Sequence, residues 1–525
     1  MKFVNVLFVV LLYCTHLSAQ VTLPNNLYFT HIGVEDGLCQ NTVCCILQDH
    51  LGFIWLGTKD GLTRYDGYRF RVFKHDAADP MSIGNNFIRV LYEDADGLIW
   101  IGTNVGVYIY NPETENFRKF DVATERGDVI SREVSSIKCD SSGDLWIGVN
   151  WQGVFRYDRR DESLELYEPV PGDTTSLSSV HVWDLCFDGD GNLWVGSQNG
   201  GLDRYDRETD RFVRHRLKGL SDVSRIVLDK QNQLLLGTMK DGLFSFNPYM
   251  GTCQPLLLDS GHKDLFVRAI FVRNSREVVV GTENGIYIYD CVTRKTRHVN
   301  QELGNPYSLS CKAVYSIYCD KEGALWIGTY FGGVNYLPPS SSLIFDKFYP
   351  IGHSDRLSGK AVREFVRDES GIIWIGTEDQ GLNRFDPVSG KFTHYNSRNS
   401  GLSCDNVHGL CVDGDRLYIG TFFGGFNIMD LKTNEIVALG SQMLPDDSVF
   451  SIFRDHDGRI WVGLTYGLCL FHPEDGSFEL VREIPENLFI YDIYQGDDGI
   501  IYFAAYNRGV ITYNPHTGKW GQVES

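Results

Sequence analysis

The chain has 525 residues with 43% hydrophobic and 13% aromatic content, enough apolar surface for two or three ordinary cores. Its formal net charge of −20 removes nucleic acid from the candidate partners, since binding there needs a basic footprint that releases phosphate counterions. Thirteen cysteines are too sparse for a disulfide-stapled scaffold and none form a C-x-x-C pair, so free buried thiols are expected, with no metal and no cofactor.

Residues 1–19 read as a secretory signal peptide: Lys2, an apolar run over 4–13, then Leu17-Ser18-Ala19 before Gln20. A lipid-acceptor role for Cys14 is disfavoured because Tyr13 stands where a small residue is needed. No later stretch reaches the ~18 apolar residues of a membrane span, so a soluble, exported, periplasmic chain is expected. Residues 28–32, Y-F-T-H-I, then look like a lone outer strand without a partner nearby in sequence.

From there the chain repeats itself. Residues 94–103 read D-A-D-G-L-I-W-I-G-T. The Asp and the Gly three places later fit the first and fourth positions of a type I turn, and the apolar run after them fits a short buried strand. The anchors of these copies are Trp55, Trp100, Trp146, Trp194, Trp326, Trp374 and Trp461, with Leu235, Val279, Tyr418 and Tyr502 in four weaker ones. Their spacing of 41 to 48 residues, with strands and no helical period, predicts propeller blades of four strands. In the second copy the strands are expected over 88–93, 98–103, 107–110 and 117–120. The tryptophans are read as inter-blade core, and the D-x-D-G pieces at Asp94, Asp188 and Asp455 as turns, because they lack the bidentate Glu of a calcium loop.

Eleven blades exceed one ring, and the stretch Pro338-Pro339-Ser340-Ser341-Ser342 has no counterpart in the other repeats. The expected fold is therefore all-β with tandem propellers: a seven-bladed ring over 27–342, closed by the strand at 28–32, and an incomplete second ring of about four blades over 343–525. Residues 343–349 would serve the second ring as 28–32 serves the first. An unclosed ring would expose apolar blade faces.

The signature D-x-x-G-x-[IL]-W-[IV]-G-T is followed by G-L-x-R-[YF]-D at residues 61–66, 201–206 and 381–386, and is similar to the two-component regulator propeller repeat. Across residues 27–520 the layout resembles the N-terminal periplasmic sensor region of hybrid two-component sensor histidine kinases. In that family two seven-bladed propellers precede a Tyr-rich β-sandwich, a membrane helix, a kinase core and a response regulator, segments that these 525 residues do not include. The resemblance implies a sensor module that recognises an oligosaccharide and acts in control of polysaccharide use, with a membrane histidine kinase, or a second copy of itself, as partner. With no kinase core, the chain is not expected to be an enzyme. Two other readings stand beside this: a carbohydrate-active propeller enzyme, which needs an acid/base pair in one pocket, and a protein-binding scaffold or fragment of a longer kinase.

The turns before each anchor hardly vary, whereas the opposite face of the blades does, so the ligand is expected on the variable face. There the candidates are Arg89, Trp151, His181, Trp183, Arg225, Arg268, Tyr315, Tyr330, Phe331 and Arg363. Aromatic rings stack on sugar faces, and an arginine cluster in an acidic protein suits an anionic ligand such as an acidic oligosaccharide. The competing reading has these rings covering blade seams and the arginines paired with neighbouring carboxylates.

Overall fold

The computed structural model describes residues 22–24, 26–217, 220, 222–257, 265–339, 348, 356–439, 444–484 and 488–523. The signal-peptide reading and the strand expected over 343–349, Phe348 excepted, lie outside them. Eleven four-stranded antiparallel sheets make up these residues, each a meander in chain order except one. We number them sheets 1 to 11, beginning at residues 43, 88, 134, 182, 225, 267, 314, 362, 407, 449 and 490. The exception is sheet 7, whose outermost strand is Thr30–Ile32 from the other end of the unit, paired antiparallel with Val334–Leu337. Tyr28 and Phe29 lie ahead of this strand: Phe29 is 1% exposed and its N–H donates to the Tyr307 carbonyl, 2.9 Å.

The signature dictates how each sheet is built. In sheet 2 the Gly97 N–H closes the turn on the Asp94 carbonyl at 3.0 Å, while Asp94 Oδ1 accepts the N–H groups of Asp96 and Leu98. Its other oxygen accepts the Trp100 indole N–H at 2.8 Å. The same aspartate-to-indole bond holds Trp55, Trp146, Trp194, Trp326, Trp374 and Trp461, all within 5% exposure. Each large ring is thus buried with its one polar atom satisfied. At the far end of the strand, Thr103 Oγ1 donates to the Gly106 carbonyl, 2.9 Å, and accepts the Val105 N–H, which sets the turn into the third strand.

The signature glycine is where one sheet receives the next. A Cβ on Gly102 would lie 2.6 Å from Val134, the first residue of sheet 3, and one on Gly57, Gly237, Gly281, Gly376 or Gly420 would meet the first residue of its own successor as closely. On Gly328 of sheet 7 the residue met is Val43 of sheet 1. The innermost strands of sheets 1 to 7 accordingly touch their neighbours in order, and the seventh touches the first.

The chain divides between Asp346 and Lys347 into two compact units, with the loop Leu303–Asn305 grouped with the second. In the second unit the innermost strands of sheets 8 to 11 follow one another in the same way. Sheet 8 shows one face to solvent. Phe365 is 70% exposed, whereas its counterparts Leu410, Ile452 and Ile493 are at 6%, 7% and 5%.

Candidate functional site at the mouth of the first unit

One irregularity recurs in the innermost strands. In sheets 1, 2, 3, 4, 6 and 7 the ladder with the second strand slips by one residue just after the first position, so that one residue has no partner. Such a bulge re-aims a side chain. The bulged residues are Cys44, Arg89, Ser135, Trp183, Arg268 and Tyr315, and together with Arg225 of sheet 5, Glu133 and Val134 they line one cavity of about 60 Å³. Five candidates from the sequence, Arg89, Trp183, Arg225, Arg268 and Tyr315, are thereby brought together from five different sheets.

The turn that follows the second strand supplies the rim. Arg89 donates to Asn104 at 2.7 Å and pairs with Glu133 at 3.1 Å, its guanidinium lying 4.0 Å over Phe87. Arg268 pairs with Glu283 at 2.5 Å and stacks between Phe266 and Tyr315, at 3.9 and 4.5 Å. Tyr315 contacts Tyr330 at 5.1 Å, Tyr330 contacts Phe331 at 4.2 Å, and Lys59 Nζ lies 4.1 Å over the Tyr330 ring. Arg225 behaves differently, giving its N–H groups to the carbonyls of Arg268, Trp183 and Ser224.

The electrostatic balance at this mouth is positive. Among the described residues Glu133 and Glu283 neutralise Arg89 and Arg268, while Arg225 and Lys59 have no carboxylate within ion-pair distance. Burial pushes the Cys44 thiol up to about 11 against the pull of Arg89 and Lys59, and the Tyr315 phenol up to about 12, so both remain neutral donors. The Trp183 indole N–H is buried with no hydrogen-bond partner among the described residues, an unsatisfied donor in the wall of the site.

The remaining candidates sit elsewhere. Trp151 and His181 face each other edge-on at 4.1 Å beside the mouth, with His181 Nδ1 against Asn150 Oδ1 at 3.2 Å. Trp151 is 65% exposed and held at φ 70°, a left-handed conformation that Asn199 occupies in the next sheet and that costs a bulky residue about 1–2 kcal/mol. Arg363 belongs to the second unit, where the bulge positions carry Arg363, His408, Phe450 and Tyr491. There Arg363 pairs with Glu378 and donates to the Tyr491 hydroxyl at 3.4 Å, and His408 lies 4.3 Å from the Phe450 ring. Sequence reasoning missed Cys44, Ser135 and Glu133. For Cys44 and Ser135 the signal was available: in each of the six bulged strands it is the residue directly after the opening Val or Ile that enters the mouth.

Comparison with known proteins agrees with this architecture. The model of the two component regulator propeller matches residues 37–60, 82–105, 176–199, 308–331 and 443–466, each ending in or just beyond the turn that forms the rim. These five segments match the two-component regulator propeller family, which the sequence signature also resembles. Solved structures similar to this chain include the extracellular domain of the hybrid two component system BT3049 of B. thetaiotaomicron, with a TM-score of 0.61 at 22% identity over 95% of this chain and 78% of that one. The extracellular domain of BT4673 from the same organism gives 0.52 at 20% identity, over 95% and 73%. Histidine kinase P4 of Formosa agariphila is 39% identical over 59 residues, which are 11% of this chain and 4% of the kinase. Among the described residues no helix is long and apolar enough to cross a membrane.

Proposed function

We propose that this chain is an exported, extracytoplasmic sensor module that binds an acidic oligosaccharide at the mouth of its first unit, in two-component control of polysaccharide use. The observation that carries this reading is the meeting of Arg89, Trp183, Arg225, Arg268 and Tyr315 from five sheets in one positively charged, aromatic-walled site of a protein with net charge −20. Stacked arginines and Trp183 offer flat faces to a sugar ring, and Arg225 and Lys59 offer charge to a uronate or sulfate. In this reading residues 27–342 form a seven-bladed ring and 343–525 an incomplete second one, and a membrane histidine kinase receives the signal. The module binds without turning its ligand over.

The test is thermal unfolding of the chain from Gln20 onward against acidic and neutral oligosaccharides of matched length. A ligand at a hundredfold excess over its Kd stabilises the native state by about 2.7 kcal/mol. An upward shift in Tm with acidic members, and an unchanged ligand on re-isolation, is expected. Cleavage of the ligand, or shifts with neutral members alone, would contradict the reading.

A further inference from the structure

On the opposite, invariant face the seam between sheets 7 and 1 differs from those between sheets 2 and 3, 3 and 4, and 10 and 11. Here a groove of about 700 Å³ opens, walled by Tyr65, Trp326 and Tyr336 and rimmed by Asp66, Asp320 and Glu322, with Asp36 nearby. Asp320 and Glu322 are the first and third residues of a signature turn. Three other copies of this turn bring a guanidinium to those positions by two routes. In sheet 10, Arg459, fourth after the aspartate, binds Asp455 at 2.7 Å and Asp457 at 2.9 Å and lies 5.6 Å over Trp461. In sheets 2 and 3 the arginine comes from the neighbouring sheet: Arg159 reaches Asp94 at 3.2 Å and Asp96 at 2.5 Å, and Arg207 reaches Asp140 at 2.7 Å and Ser142 at 3.1 Å.

At the seam of sheets 7 and 1 both routes are closed. The position of Arg459 is Ala324, and the position of Arg159 and Arg207 is Gly67, at φ 98°. Lys321 turns away to the carbonyls of Asp49 and His50, and His31 directs Nε2 to the Ser308 carbonyl at 2.7 Å. Asp36, Asp66, Asp320 and Glu322 have no cation within ion-pair distance among the described residues, and Glu322 meets only the Gln48 amide, 3.4 Å away. The acceptors, the aromatic floor and the space of an arginine site are all in place.

We propose that this groove binds an arginine side chain presented by a partner polypeptide, the guanidinium bridging Asp320 and Glu322 over Trp326 as Arg459 bridges its own turn. A planar fork matches two carboxylates as a point charge does not, and the Tyr68 ring, 93% exposed at the rim, offers contact to the residues beside the arginine. This interaction is separate from the ligand mouth and does not depend on it.

The test uses the chain from Gln20 with indole-¹⁵N tryptophan, titrated with acetyl-Gly-Arg-Gly-amide and with its citrulline counterpart, the Trp326 signal being assigned by Trp326→Phe. The arginine peptide should move that signal saturably and the citrulline peptide should not. Ala324→Arg, which supplies the guanidinium internally, should abolish the response, and Glu322→Gln should weaken it at least threefold whether or not Ala324→Arg folds. No movement with the arginine peptide, equal movement with citrulline, or an unchanged affinity in Glu322→Gln would overturn the proposal.

Discussion

In the seven copies anchored by tryptophan the signature aspartate divides its two oxygens between tasks, one holding the backbone of the turn and one the indole of the anchor, as Asp94 does for Leu98 and Trp100. Asp203 shows the reverse case, a buried carboxylate short of partners. It is fully buried in the third strand of sheet 4, where sheets 7, 8 and 9 carry Asn335, Asn383 and Asn427 at the same register. One oxygen accepts the Ser178 N–H at 2.8 Å, as the asparagines accept from Ser310, Ser358 and Ser403, and the other has no partner among the described residues. Burial raises its carboxyl from 3.8 to about 6. A raised carboxyl favours the folded state least where it must ionise: below pH 4 it is protonated folded and unfolded, and the penalty grows between pH 4 and 6 and is complete above. Asp203→Asn should therefore raise stability above pH 6 by about 1–3 kcal/mol and leave it unchanged near pH 4, read from urea unfolding at the two pH values. A gain equal at both would show that ionisation is not the cause.

At the scale of the element, the recurring unit is a strand whose glycine is the socket for its successor. Gly102→Ala places a methyl group 2.4 Å from Val90 and 2.6 Å from Val134, and should lower the stability of the first unit by about 1–3 kcal/mol or more in denaturant unfolding. An unchanged midpoint would mean that the sheets are not seated as described. Sheet 11 has Ala504 at this position, the one departure from glycine among the eleven sheets. The all-β repeats and turns were legible because Asp, Gly, Trp and Thr each answer a local demand within ten residues, and sheet 2 follows the expected strands to within two residues at each end. The aspartate-to-indole bond was not legible, since both its members are explained separately, by turn and by core. The bulges left a subtler trace: the extra residue breaks the alternation, so that the buried residues run three apart, as Val43 and Ile46 or Val182 and Leu185 do, a spacing that a search by residue type does not use. That is why Arg89, Trp183, Arg268 and Tyr315 were found by residue type, and Cys44 and Ser135, ordinary strand residues by type, were not.

At the scale of the molecule, charge is distributed unevenly. An acidic protein gathers Arg89, Arg225, Arg268 and Lys59 at one mouth, and leaves carboxylates without a cation among the described residues at the seam on the other face. In the readings proposed above, the first arrangement attracts an anion from the medium and the second a cationic side chain, which would let one propeller read a small ligand on one side and hold a protein on the other. Both depend on the closure in which Val43 of sheet 1 seats on Gly328 and Thr30–Ile32 completes sheet 7. The ligand claim rests on Arg225, which lines the mouth and has no carboxylate within ion-pair distance among the described residues. The most direct measurement is calorimetric titration of the acidic oligosaccharide with the largest thermal shift into the wild-type chain and into Arg225→Met, with the apo Tm of both recorded. A Kd at least tenfold weaker in the variant, about 1.4 kcal/mol, with an apo Tm within a few degrees of wild type is the predicted result. An unchanged Kd in a folded variant would contradict the assignment of the mouth as the ligand site.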